Sequence, residues 1–171
     1  RPFQETVCRA LVEGTDALLV MPTGAGKSLC YQLPALARGG TGLVISPLIA
    51  LMEDQVLQLQ GRGLRAERIH SGRDRAESRE VCRAYLAGEL DFLFVAPERL
   101  GVPGFVEFLA RRTPALIAVD EVTISPAGSG SSTLLLTAPD GATIWAAEFD
   151  GDPVGVDGLD VARSVSVPVV F

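Results

Sequence analysis

Lys27 is the only lysine in the 171 residues, and it stands in Met21-Pro22-Thr23-Gly24-Ala25-Gly26-Lys27-Ser28, directly after the apolar run Ala17-Leu18-Leu19-Val20. Glycines in a turn between a buried strand and a helix let backbone N–H groups face phosphate oxygens. A lysine ammonium at this position reaches the terminal phosphates, and the serine hydroxyl beside it holds magnesium. The full G-x-x-x-x-G-K-[ST] pattern would carry glycine in place of Met21, so the chain meets its second half only. The competing reading is a glycine turn that merely starts a helix. It leaves the Gly26-Lys27-Ser28 triplet behind a strand without a reason. A second group with chemical potential is Asp120-Glu121, which closes the apolar run Ala115-Leu116-Ile117-Ala118-Val119. Alone, such a pair marks a turn. Placed about ninety residues after a phosphate loop, one carboxylate can hold Mg²⁺ through water and the next can orient and help deprotonate an attacking water.

Both groups need a scaffold that brings strand ends together. Up to about residue 125 the pattern alternates between helical and strand periods, as a parallel sheet with crossover helices demands. Helices are predicted over 4–12, from 27 onward, over 51–59, 73–87 and 105–111, and strands over 17–21, 42–45, 68–70, 92–96 and 115–119. Leu29, Leu33 and Leu36 recur at helical spacing, with Pro34 expected to bend or interrupt that helix. Gly61 and Gly63 close the helix before them. Ligands of a doubly wound sheet sit at the carboxyl ends of its strands, where the phosphate loop, Ser46-Pro47, Pro97-Glu98 and Asp120-Glu121 all fall. After Ser125 the composition turns to Gly, Ser, Thr, Asp and Val. The apolar runs 133–137 and 143–147 flank Pro139-Asp140-Gly141, a turn signal, so a β-hairpin is expected there.

Hydrophobic residues make up 47% of the chain and charged residues 21%, which describes a globular protein and excludes a disordered one. No apolar run approaches the ~20 residues that span a bilayer. Cys8, Cys30 and Cys82 lack CxxC spacing and lie in apolar-periodic stretches, so free, buried thiols in a reducing cytoplasm are expected and a structural metal site is not. The net charge of −6 is unevenly spread. Residues 1–125 carry 14 basic against 15 acidic residues, and residues 126–171 carry Arg163 against six acids. The arginines between Arg62 and Arg83 read first as a solvated face and second as phosphate contacts. His70 is expected at the surface or at a strand end, and Trp145 as a packing residue.

Several separated motifs occur in order: Arg1-Pro2-Phe3-Gln4, Met21 to Ser28 followed by Leu29-Cys30-Tyr31-Gln32-Leu33-Pro34, Ser46-Pro47-Leu48-Ile49-Ala50-Leu51-Met52, Asp54-Gln55-Val56 and Val95-Ala96-Pro97-Glu98-Arg99-Leu100. Together they resemble the first motor domain of RecQ-type DNA helicases, within the DEAD/DEAH-like superfamily, over residues 1 to about 125. Met21 suits that family's phosphate loop. The resemblance implies an α/β, RecA-like parallel sheet flanked by helices. It also implies ATP and Mg²⁺ as cofactors and DNA as partner, with a place in repair and recombination at the bacterial nucleoid. By the same resemblance Arg1 and Gln4 recognise adenine, and Thr23, Gly24, Ala25, Gly26, Lys27 and Ser28 cradle the phosphates. Lys27, Asp120 and Glu121 are catalytic, and Ser28 and Asp120 hold the metal. Ser46, Pro47, Leu48, Pro97, Glu98 and Arg99 face the DNA backbone, which positions a strand without reading its sequence. Taken singly, Gln4 reads equally as an exposed helix residue, and Pro47 and Pro97 as strand terminators.

The family continues its Asp-Glu with Ala-His and a loop that couples DNA contact to hydrolysis, whereas Val122-Thr123 follow here. Residues 126–171 are therefore read as a divergent β-rich tail on a truncated motor domain. Codons for Pro126 to Leu134, read one nucleotide later, can spell Gln-Arg-Gly-Gln-Asp-Leu-Arg-Pro, close to the family's Gln-Trp-Gly-His-Asp-Phe-Arg-Pro. A frame-shifted tail is the resulting hypothesis, and a coding sequence in which no single shift restores the pattern removes it. The motif cut by residue 1 gives the expectation of a fragment. The expected activity is ATP binding with very low turnover and no unwinding by this chain alone. The alternatives are a noncatalytic nucleotide- or DNA-binding module whose acidic tail docks a partner, favoured by a protease-resistant tail, and a nonfunctional degenerate product, favoured by insolubility.

Overall fold

Four short segments pair in parallel: β1 (Gly42–Ile45), β2 (Ala66–Ile69), β3 (Phe92–Val95) and β4 (Leu116–Val119), in the order β2-β3-β1-β4. The computed structural model describes residues 2–17, 26–120, 123–127, 131–137 and 143–150, the last three segments by their backbone. Parallel neighbours cannot be joined by a tight turn, so each pair of successive strands is separated by a helix. These crossovers are α3 (Ile49–Gly61), α4 (Arg75–Ala87) and α5 (Phe105–Ala110), and they follow α1 (Pro2–Val12) and α2 (Lys27–Arg38). The strand read over 17–21 lies outside the described residues except for Ala17. Among the described residues β4 forms one edge of this sheet and β2 the other.

Alternation along each strand sends successive side chains to opposite faces. Phe92, Phe94 and Ala96 pack with Val44 against Tyr31, Ala35, Met52 and Val56, so α2 and α3 cover one face. Leu93 and Val95 pack with Leu43 against Val81, Tyr85, Phe105 and Leu109, so α4 and α5 cover the other. Every residue of β1 and β3 is buried, which explains why these strands read as unbroken apolar runs. Gly42 lets α2 approach β1: a Cβ there would stand 2.9 Å from the Ala35 Cβ and 3.0 Å from the Phe92 ring.

Helix α2 corrects one expectation. It runs unbroken through Pro34, which removes the N–H that would have bonded the Cys30 carbonyl four residues back. That carbonyl faces the Cys8 thiol of α1 instead, with Sγ 4.0 Å away, and the break in the ladder is tolerated. The periodic leucines of α2 are also not its inward face. Leu29, Leu33 and Leu36 are exposed, and Cys30, Tyr31, Gln32, Pro34 and Ala35 are buried.

At the other face, Tyr85 is fully buried and its hydroxyl donates toward Leu109 O at 3.0 Å and Arg112 O at 2.7 Å, tying α4 to the end of α5. The Tyr85→Phe variant should lose about 1–2 kcal/mol in urea unfolding, because two carbonyls lose a donor while the ring still fills its place. An unchanged midpoint would mean water serves those carbonyls equally well.

The β2 edge is charged and ion-paired. Arg68 meets Glu53 of α3 at 2.6 Å, Arg73 meets Glu67 at 3.1 Å, and His70 Nε2 lies 3.1 Å from Glu53. Charges on an edge strand discourage pairing with another chain. His70 does stand just past a strand end, but it is buried, contrary to a surface placement. Its Nδ1 accepts from Gly72 N, which leaves Nε2 to donate to Glu53. The Arg68 guanidinium, bonded to Glu53, holds that carboxyl below its ordinary range, and Arg65 does the same for Asp91. A depressed folded-state pKa contributes stability that is present above the ordinary carboxylate range and is lost as pH falls through the lowered values. Stability should therefore be flat from neutrality down to about pH 5 and fall below about pH 4. The Glu53→Gln and Asp91→Asn variants should each be less stable at neutral pH and show a shallower acid limb in urea titrations.

Beyond β4, strands β5 (Thr123–Ala127), β6 (Ser131–Thr137) and β7 (Thr143–Asp150) form a second, antiparallel sheet in that order. β6 and β7 pair as the hairpin read from the sequence, and β5 adds a strand that periodicity did not mark. The Pro139-Asp140-Gly141 turn lies outside the described residues. The cysteines are free; Cys30 is buried as expected, whereas Cys8 and Cys82 are only half-buried.

Candidate functional site

A run of backbone hydrogen bonds across the sheet defines the edge on which the strand ends meet. Asp120 N donates to Ile45 O at 2.9 Å, Ser46 N to Val95 O at 3.1 Å, and Ala96 N to Ile69 O at 3.0 Å. Asp120, Ser46-Pro47, Ala96-Pro97 and His70 thus stand in one row at the carboxyl edge, as a doubly wound sheet requires of a ligand site.

Helix α2 packs beside β1 and β4, two of the strands that lead into this row. Gly26 precedes the helix with φ 87°, a left-handed conformation that glycine takes without strain, and Lys27 is the first helical residue. Lys27 and Ser28 are half-buried. The first N–H groups of a helix have no partner within it and present partial positive charge to an anion. Gln4 of α1 reaches the same place, its Nε2 donating to Gly26 O at 3.3 Å.

Tyr31 connects α2 to the carboxylate. Its hydroxyl donates to Gln55 Oε1 at 2.6 Å, and Gln32 Nε2 donates to the same oxygen at 3.4 Å. Burial, and after it the negative charge of Asp120, pushes the Tyr31 hydroxyl up to about 12, while a hydrogen bond with the Ser28 side chain acts in the opposite direction. Ser28 and Asp120, ninety-two residues apart in sequence, therefore act on one hydroxyl. A serine hydroxyl and a carboxylate form a hard-oxygen donor set of the kind magnesium takes, so the described residues fit that ion. Arg1, Thr23, Gly24, Ala25 and Glu121 lie outside the described residues.

The remaining candidates are spread along the edge. Ser46 is buried, with its Oγ lacking a partner among the described residues; Pro47 is half-buried and Leu48 is exposed. Pro97 is buried and opens the turn after β3. Glu98 accepts from Ser71 N at 3.3 Å, and the Arg99 guanidinium lies 5.1 Å from the Phe105 ring centre. Tyr31, Gln32 and Gln55 stand in the sequence motifs without an evident role, and the structure joins them in one buried hydrogen-bond cluster. The sequence signal for them is polarity at inward positions of otherwise apolar helix faces.

The DEAD/DEAH box helicase family matches residues 1–124. The chain belongs to that family. Within it, ATP-dependent DNA helicase RecQ of Haemophilus influenzae is 45% identical over 121 residues, covering 71% of this chain and 20% of that protein. RecQ of Bacillus subtilis is 39% identical over 122 residues, covering 71% of the chain and 21% of the relative. The RecQ-like motor-domain resemblance read from the motifs is thereby borne out, and the chain spans about a fifth of the length of the curated relatives it matches. Among solved structures, the DUF1998 helicase MrfA bound to DNA and AMPPNP superposes with a TM-score of 0.57 at 22% identity, over 69% of this chain and 18% of that one. That likeness shows the fold: this helicase-family chain has a RecA-like parallel sheet flanked by helices. No helix among the described residues is long and apolar enough to cross a membrane.

Proposed function

We propose that the chain binds ATP with Mg²⁺ as part of the first motor domain of a RecQ-like DNA helicase, whose parent reaction is ATP hydrolysis coupled to 3′-to-5′ unwinding. The observation that carries this reading is Lys27-Ser28 opening a helix behind left-handed Gly26, beside a parallel sheet whose carboxyl edge holds Asp120 in one row with Ser46, Ala96 and His70. In the proposed site the Lys27 ammonium neutralises the terminal phosphate oxygens, and the N–H groups of Gly26 to Ser28 bond the others. Ser28 and Asp120 hold the magnesium, which when bound screens the charge on the phosphates. Glu121 orients the attacking water and accepts its proton as the terminal P–O bond breaks and ADP leaves. Gln4 and Arg1 serve the adenine. Backbone groups near Ser46, Pro47 and Leu48, with Glu98 and Arg99, line a track for DNA phosphates, and Pro97 sets the turn beside it.

By themselves these 171 residues bind nucleotide but turn it over very slowly, because translocation needs two domains closing on ATP. A titration with a fluorescent ATP analogue tests the reading. Saturable binding that unlabelled ATP displaces and EDTA weakens is expected; a signal indifferent to both would overturn it.

A further inference from the structure

Helices α1 and α2 run side by side in the same direction. Gln4 meets Gly26 and Cys8 meets Cys30, both pairs 22 residues apart in sequence and one helical turn apart along each helix. The Cys8 sulfur lies 3.9 Å from Leu29 O and 4.0 Å from Cys30 O, at the carbonyl that Pro34 leaves without its helical partner. Cys30 is buried in a small cluster with Val7, and Leu11 and Ala17 pack around it, so its side chain points to α1. The Cys8 sulfur thus stands within 4.0 Å of the Cys30 backbone, while Cys30 packs toward the helix that carries Cys8. Cys8 also lines a groove of about 380 Å³ between the helices, beside Val12, Leu33 and Pro34, which gives solvent a route to its sulfur.

We propose that Cys8 and Cys30 are an oxidisable dithiol whose disulfide staples α1 to α2 one turn beyond the Gln4–Gly26 contact. A low-molecular-weight disulfide such as oxidised glutathione is the oxidant. The half-exposed Cys8 thiolate attacks it, forming a mixed disulfide and expelling one glutathione. The Cys30 thiolate then attacks the Cys8 sulfur and expels the second. Two thiols become one disulfide, one glutathione disulfide becomes two thiols, and the protons pass to the leaving glutathiones. Burial raises both thiols, Cys30 up to about 11, which slows the exchange at neutral pH. The staple closes a short loop of chain and fixes α1 against the start of α2.

The test incubates the intact chain with oxidised glutathione, alkylates remaining thiols and maps tryptic peptides. Expected are a linked pair made of the peptides ending at Arg9 and Arg38, alkylation confined to Cys82, and slower hydrogen exchange over residues 2–12. The melting temperature should rise by about 5–10 °C and return on reduction. Cys8→Ser should abolish both the link and the temperature shift. Persistence of a glutathione adduct on Cys8, a link to Cys82, or full alkylation of all three thiols after prolonged oxidation would each overturn the proposal. The mapping needs no variant to fold and no nucleotide to bind, so it stands or falls separately from the ATP site.

Discussion

Replacing Lys27 with alanine is expected to weaken ATP binding by about 30- to 1,000-fold, the range that corresponds to losing ~2–4 kcal/mol of a charge-assisted contact. The loss is large for a reason visible in composition: Lys27 is the sole lysine, and every other basic residue is arginine. A planar guanidinium presents a wide fork where a compact ammonium is needed, so Lys27→Arg should also bind poorly. The fold should survive both changes. Lys27 opens α2 and is only half-buried, and the helix is anchored further along by Cys30, Tyr31 and Ala35. Circular dichroism and melting of the variants should therefore match the parent while isothermal titration with ATP and Mg²⁺ shows the deficit. Unchanged affinity in a folded Lys27→Ala protein would remove the nucleotide from this end of the sheet.

The Phe94→Ala variant should lose about 3–5 kcal/mol of stability. Phe94 has no exposed surface and sits in the middle of β3, paired with Val44 on one side and Arg68 on the other. Its ring fills the space among Val44, Met52, Val56 and Tyr31, and truncation leaves a cavity that the β-strand backbone cannot close. Against the ~5–15 kcal/mol that separates a domain of this size from its unfolded chain, that is a large part of the total. The urea midpoint should fall with little change in slope. Leu33→Ala, half-exposed on α2, provides the contrast and should stay within about 0.5 kcal/mol. Equal losses at the two positions would mean the described core does not distinguish them.

The expected effects differ because Lys27 is proposed for phosphate chemistry and Phe94 packs the core, and these were not equally legible in the sequence. Lys27, Ser28 and Asp120 were legible as types in order, since phosphate and magnesium chemistry admits few alternatives. The α/β architecture was legible because β1 and β3, covered on both faces, must be apolar throughout. β2 was harder to place: Glu67 and Arg68 interrupt its apolar pattern, and their partners lie off the strand, Arg73 in the following turn and Glu53 on α3. Helix ends were read a few residues off, with α3 starting at Ile49 and α4 at Arg75, where Asp74 caps it by accepting from Ala76 N. The leucines of α2 carried a helical period without marking the buried side, because spacing reveals a face but not what stands opposite it.

The amino-acid sequence by itself determined which groups could meet a phosphate, how strands and helices alternate, and that the strands run parallel, since each of these follows from local residue type and period. Only the tertiary structure decided the strand order β2-β3-β1-β4, the bond from the Tyr31 hydroxyl to Gln55, the burial of His70 against Glu53, and the approach of Cys8 to the carbonyl that Pro34 exposes. Those are contacts between segments distant along the chain. They are selected by which faces can be desolvated together, a property no single segment carries.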